Sequence, residues 1–137
     1  MALSMEDQLA IRQLVARYNH AIDSGDAQAY ADTFTDDGVL DAGDLVLSGR
    51  DALYAFADSF SATVWAPRHI ASNIVIRGDG DRAELRAYVQ LYGLDGVPPR
   101  QEVRASGIYT DRLVKEGGSW RFVRRTFVND AAVPPPG

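Results

Sequence analysis

The chain has 137 residues, with 14 Lys+Arg against 19 Asp+Glu and a formal net charge of −5. That length fits one domain, and the acidic balance argues against a protein that grips nucleic-acid phosphates. Cysteine is absent from the sequence, which removes disulfides, thiolate nucleophiles and sulfur-ligated zinc.

Glu6 and Asp7 precede any apolar run, and no apolar stretch reaches the length of a membrane span. The expectation is a soluble, cytoplasmic protein with neither a nucleic-acid nor a membrane partner. Ser4 and Asp7 have capping-box spacing. Ile11, Leu14, Val15, Tyr18, Ala21 and Ile22 then recur at helical spacing, and Gly25 is a natural exit. A short second helix follows, capped by Asp26, with Tyr30 and Phe34 on one face. Asp36-Asp37-Gly38 reads as a turn, and Val39–Asp41 with Leu45–Leu47 as a small hairpin. Ser48 and Asp51 have the spacing of another capping box. Leu53, Phe56, Ala57 and Phe60 give the third helix its apolar face.

After Pro67 the period changes from helical to alternating. Residues 68–77, 82–94, 101–114 and 119–129 read as four strands joined by short Gly- and Pro-containing turns. The pattern predicts an α+β fold over residues 1–130, helices packed on a curved antiparallel sheet, with residues 131–137 a flexible Pro-rich tail. A curved sheet with helices across its mouth encloses a cavity, the natural ligand site.

Few residues could carry chemistry there. His20 falls on the polar face of the first helix and reads as a surface residue. His69 opens a strand and shares a face with Ala71 and Asn73 by the period of two. Periodicity leaves open whether that face meets the cavity or solvent. Tyr18 is on the apolar face of the first helix, and core packing alone accounts for it. Asp23 lies in the last helical turn, where the helix dipole opposes a carboxylate, so it needs a compensating partner. His20, three residues back, is the plain local choice. Asp111 reads as the end of a strand pairing. Arg121 and Arg125 face opposite to Arg124, and Arg125 shares its face with Phe127, toward the cavity mouth. Trp65, Phe34 and Tyr92 suit either a flat ligand or core packing. No phosphate loop, dinucleotide fingerprint, nucleophile elbow or zinc motif occurs. The expectation is chemistry without cofactor or metal.

The segments 16–26 and 34–38 resemble the opening of the NTF2-like superfamily. Residues 68–76, 107–111 and 118–122, with Arg125, are similar to its SnoaL-like branch. The resemblance covers nearly the whole chain. It implies a cone-shaped α+β barrel and a homodimer through the open sheet face. Dehydratases of this superfamily, scytalone dehydratase and the bile-acid 7α-dehydratases among them, use a helix Tyr/Asp pair and a strand His. Tyr18, Asp23 and His69 match that trio. The further acid/base group these enzymes carry on the next strand is replaced here by the neighbourhood of Tyr88, Gln90 and Tyr92. A ketosteroid isomerase base would fall at Ala42, with Asp41 one residue away and so on the opposite face.

The resemblance therefore implies an acid/base enzyme for a small hydrophobic polyketide-, steroid- or terpenoid-like carbonyl compound. Dehydration leads. Isomerisation, cyclisation or plain ligand binding on the same fold are the alternatives. Tyr18, Asp23 and His69 would be catalytic, and Phe34, Trp65, Asn73, Tyr92 and Arg125 would contact substrate.

Overall fold

The computed structural model describes residues 2–137. Helix α1 spans Met5–Ser24, α2 Ala27–Asp32 and α3 Arg50–Thr63. The strands are β1 (Phe34–Asp41), β2 (Val46–Ser48), β3 (Arg68–Asp79), β4 (Arg82–Asp95), β5 (Arg100–Glu116) and β6 (Ser119–Asn129). They form one sheet in the order β2-β1-β6-β5-β4-β3. The helices lie against it, giving the α+β architecture that the element order predicts.

The first helix starts and stops as its sequence dictates. Ser4 accepts the Asp7 backbone N–H at 3.0 Å. Gly25 ends the helix in the left-handed region, at φ 75°, where a side chain would be strained. The Asp7 carboxylate does more than complete the cap. It accepts from Trp120 Nε1 and Lys115 Nζ, each at 3.0 Å, and so ties the start of α1 to the β5–β6 hairpin. Asp26 caps α2, as expected. The cap of α3 is Gly49 and makes no side-chain bond; Ser48 is the last residue of β2 instead.

Two further expectations change. The sheet is mixed, because β1 runs parallel to β6 while the other pairs are antiparallel. Asp36-Asp37-Gly38 is no free turn. These residues lie inside β1, where the register with β6 slips between Phe34 and Val39. The turn-forming residues are accommodated as an irregularity in a strand. At the other end, Asp130–Ala132 forms a 3₁₀ turn, and the residues after it are exposed.

The core fills the space between helices and sheet. Tyr18 and Ile22 of α1, Tyr30 of α2 and Leu53 of α3 meet Phe34 of β1, Leu85 of β4 and Phe122 of β6. Tyr18 is ringed by Tyr30, Phe34, Tyr109 and Phe122, with centroids 4.8–6.2 Å away. Aromatic pairs at such distances and tilts add specific attraction to simple burial.

Candidate active site

A cavity of about 190 Å³ remains between the layers. Tyr18 and Ile22 of α1, with Phe56 and Phe60 of α3, wall its helical side. On the sheet side stand His69, Val89, Leu91, Tyr109 and Phe127, with Leu40 and Ala42. The walls are apolar apart from an imidazole and two phenols.

Asp23 and His69 meet here although 46 positions separate them. The Asp23 carboxylate receives two bonds from one residue. His69 Nδ1 lies 2.6 Å from Oδ1, and the His69 backbone N–H donates to Oδ2 at 2.8 Å. The partner that offsets the helix dipole is thus His69, and His20 is left exposed. The His69 and Asp23 side chains are only 10% and 12% exposed, so the pair is shielded but within reach. Phe60 packs on the imidazole, centroids 5.5 Å apart.

The two faces of this pair differ. An outer polar cleft is lined by Asn19, His20, Asp23, Arg68 and His69. His69 belongs to both cleft and cavity, whereas Asp23 lines the cleft alone. The Nδ1 edge is held by Asp23, and the imidazole also borders the cavity. A carboxylate at Nδ1 fixes the neutral tautomer with its proton there and leaves Nε2 as a basic lone pair.

Tyr18 is buried at the cavity wall, its hydroxyl 3.0 Å from that of Tyr30. Burial pushes the Tyr18 and Tyr109 phenols well above their ordinary range, and Arg125 pulls them back in part. Both stay protonated hydrogen-bond donors at neutral pH.

The expected substrate contacts are placed elsewhere. Asn73 is exposed because β3 carries a bulge: Asn73 and Ile74 together oppose Ala87, with Asn73 at φ 53°. The extra residue reverses the alternation, so Ile74 and Ile76 continue the inward face of His69 and Ala71. Trp65 is 51% exposed, and Phe34 is sealed in the core at 1%. Tyr92 lines a separate surface depression beside Ala66 and Arg68. Arg125 is wholly buried and bonded to Asp111, without lining the cavity. The residues of β4 that do reach it are Val89 and Leu91, since Tyr88 and Gln90 point outward. Ala42 lines the cavity, while Asp41 bonds Arg124 at 2.5 Å and the Gly43 N–H.

Reasoning from sequence misses Tyr30, Tyr109 and Asp111. Asp111 carried a signal, being charged between Tyr109 and Leu113 on one otherwise apolar strand face. Among the described residues no group of three or more His, Asp or Glu is placed to hold a metal ion. No helix among them is long and apolar enough to cross a membrane.

Comparison with known proteins follows the fold. The sequence profile of the SnoaL-like domain matches residues 3–126. A solved Mycobacterium tuberculosis protein of unknown function is 34% identical, with 89% of this chain and 70% of that one covered, at a TM-score of 0.83. An NTF2-like protein with a cystatin-like fold from Novosphingobium aromaticivorans is 24% identical and superposes at 0.87, covering 94% and 85%. A candidate scytalone dehydratase from the same organism is 24% identical and superposes at 0.80, covering 91% and 85%. At that identity the last two speak for the fold alone.

Proposed function

The chain belongs to the SnoaL-like family, and on that premise we propose an acid/base dehydratase working without a cofactor on a small apolar carbonyl compound. The observation that carries the reading is the Asp23–His69 pair at the wall of an apolar cavity that Tyr18 also lines. A β-hydroxy carbonyl compound would bind with its oxygen toward Tyr18. His69 Nε2 takes the proton from the carbon beside the carbonyl, and the C–H electron pair moves toward the carbonyl oxygen. Tyr18 donates to the enolate oxygen as charge builds there. Asp23 holds the imidazolium and its orientation. The enolate then collapses to a conjugated double bond, the C–O bond breaks, and the proton on Nε2 leaves with the hydroxyl as water.

Val89 and Leu91, in place of an acid/base residue on β4, leave His69 to act as both base and acid. That favours a reaction which returns the proton it takes. Ala42 in the cavity lining supplies no carboxylate base of the isomerase kind. The cavity size supports a substrate of one ring or two small ones, because a hole of roughly 150 Å³ already holds benzene. As in its relatives by resemblance, the protein would pair with a second copy through the outer face of the sheet.

The test is a panel of single-ring β-hydroxy ketones and aldehydes, followed by the rise of conjugated-enone absorbance. His69→Ala is expected to lower turnover roughly 10²–10⁴-fold. Full turnover in that variant overturns the assignment. Asp23→Asn distinguishes enzyme from binding module: ligand affinity stays near wild type, while turnover falls only if the pair is catalytic.

A further inference from the structure

Behind the cavity wall lies a charged pair that the scheme above leaves idle. Arg125 and Asp111 are 0% and 1% exposed, in the middle of β6 and β5. Arg125 Nε and Nη2 donate to the two Asp111 oxygens at 3.0 and 3.1 Å, a bidentate fork. Two charges taken fully out of water are a poor device for stability, since well-packed apolar residues usually do as well. The position of the pair suggests another use. The guanidinium carbon lies 3.5 Å from the Tyr109 ring centroid and 4.4 Å from those of Tyr18 and Phe122. The remaining nitrogen, Nη1, is buried with no hydrogen-bond partner among the described residues. Tyr18 and Tyr109 are the two phenols that line the cavity, and Arg125 touches both from behind.

We propose that Arg125 is a positioning residue whose guanidinium, locked by Asp111 and stacked on Tyr18 and Tyr109, makes their hydroxyls an oxyanion-binding end of the cavity. The inference rests on the cavity being the substrate site. A cation against the ring of a phenol draws electron density away from the hydroxyl, makes its O–H more acidic and so strengthens the hydrogen bond it donates to a negative ligand atom. Because the guanidinium is fixed before ligand arrives, the site has no reorganisation to complete as charge develops. Asp111 sets the strength of the effect. It anchors the fork and offsets part of the positive charge, so an uncompensated Arg125 would act more strongly. The ligand class that follows is a small ring bearing an oxygen that carries, or gains, negative charge: a phenolate or an enolisable ketone.

The probe is 4-nitrophenol, whose phenol and phenolate forms absorb at different wavelengths. Its ionisation is followed while bound to the intact protein, with thermal melts confirming that each variant is folded. Arg125→Gln is expected to raise the pH at which the bound probe ionises by about one unit relative to wild type. Asp111→Asn is expected to lower it, because it leaves the cation unopposed. A purely structural pair would move both variants the same way, or neither, and either result overturns the proposal. If Arg125→Gln does not fold, Asp111→Asn decides alone: a lower ionisation pH supports the proposal, and an unchanged or higher one overturns it. Binding of the probe with no difference between variants defeats only this inference. Failure of every folded variant, wild type included, to bind any single-ring phenol or ketone removes the substrate-site reading and this inference with it.

Discussion

Asp23 illustrates how one residue serves structure and chemistry together. In the last turn of α1 a carboxylate is disfavoured by the helix dipole, yet this one is held by two N–H groups of His69. Replacing it with Asn turns one acceptor oxygen into a donor that faces another donor. We expect Asp23→Asn to cost about 1–3 kcal/mol in urea unfolding, besides its effect on turnover. Asp111 gives a second prediction. Burial lifts its carboxyl to about 6 against the pull of Arg125. A raised carboxyl binds more protons folded than unfolded between its ordinary value and 6, so its contribution to stability falls as pH rises through that window. Asp7 and Asp41 are lowered by their hydrogen bonds and act in the opposite sense, losing their contribution in acid. Comparison of unfolding free energies at pH 4.5 and 7 should therefore show Asp111→Asn gaining on wild type at the higher pH, by an amount on the order of 2 kcal/mol. Equal differences at both values would contradict this.

At the scale of elements, bulges decide which side chains meet. The β3 bulge at Asn73 turns Ile74 and Ile76 inward and Asn73 outward. In β6 an extra residue, Val123, shifts the register so that Asp111 faces Arg125. Counting straight back from the Glu116–Ser119 turn puts Arg124 there instead, so the buried pair was hidden from any unbroken alternation. The first helix, by contrast, was legible to its cap, because its apolar positions from Ile11 to Ile22 keep one period for about three turns. Four long strands were legible for the same reason. The Tyr18–Asp23–His69 set came from family resemblance; periodicity alone left the direction of His69 open. The parallel partner of β1 had no local signal, since strand pairing across the whole chain is invisible to a short window. Gly107 tests the element scale. A Cβ there would stand 2.2 Å from the Val128 carbonyl oxygen and 2.6 Å from the Phe127 ring. Gly107→Ala should destabilise by about 1–3 kcal/mol and disturb the cavity through Phe127, seen as weaker uptake of single-ring ligands.

At the scale of the molecule, the outer sheet face carries an apolar row. Tyr88, Ile108 and Val128 stand directly across from one another on β4, β5 and β6. Tyr88 is 54% and Val128 48% exposed, and Ile70 and Val75 extend the patch on β3. An exposed apolar row of this kind fits the homodimer proposed above. Light scattering on the intact chain should give twice the monomer mass, and Tyr88→Arg with Ile108→Asp should reduce it to one. A monomeric wild type would dismiss that pairing.

The parallel contact of β1 with β6 has a consequence for how the protein is born. On the ribosome α1, α2 and β1 emerge well before β6, the strand that completes their layer, with Leu40 waiting for Arg125. Until then Tyr18 and Phe34 lack the Phe122 ring they pack against. Contacts so distant along the chain make closure slow and concerted. The cavity, with the phenols that define it, ripens only once β6 has been made and has paired with β1.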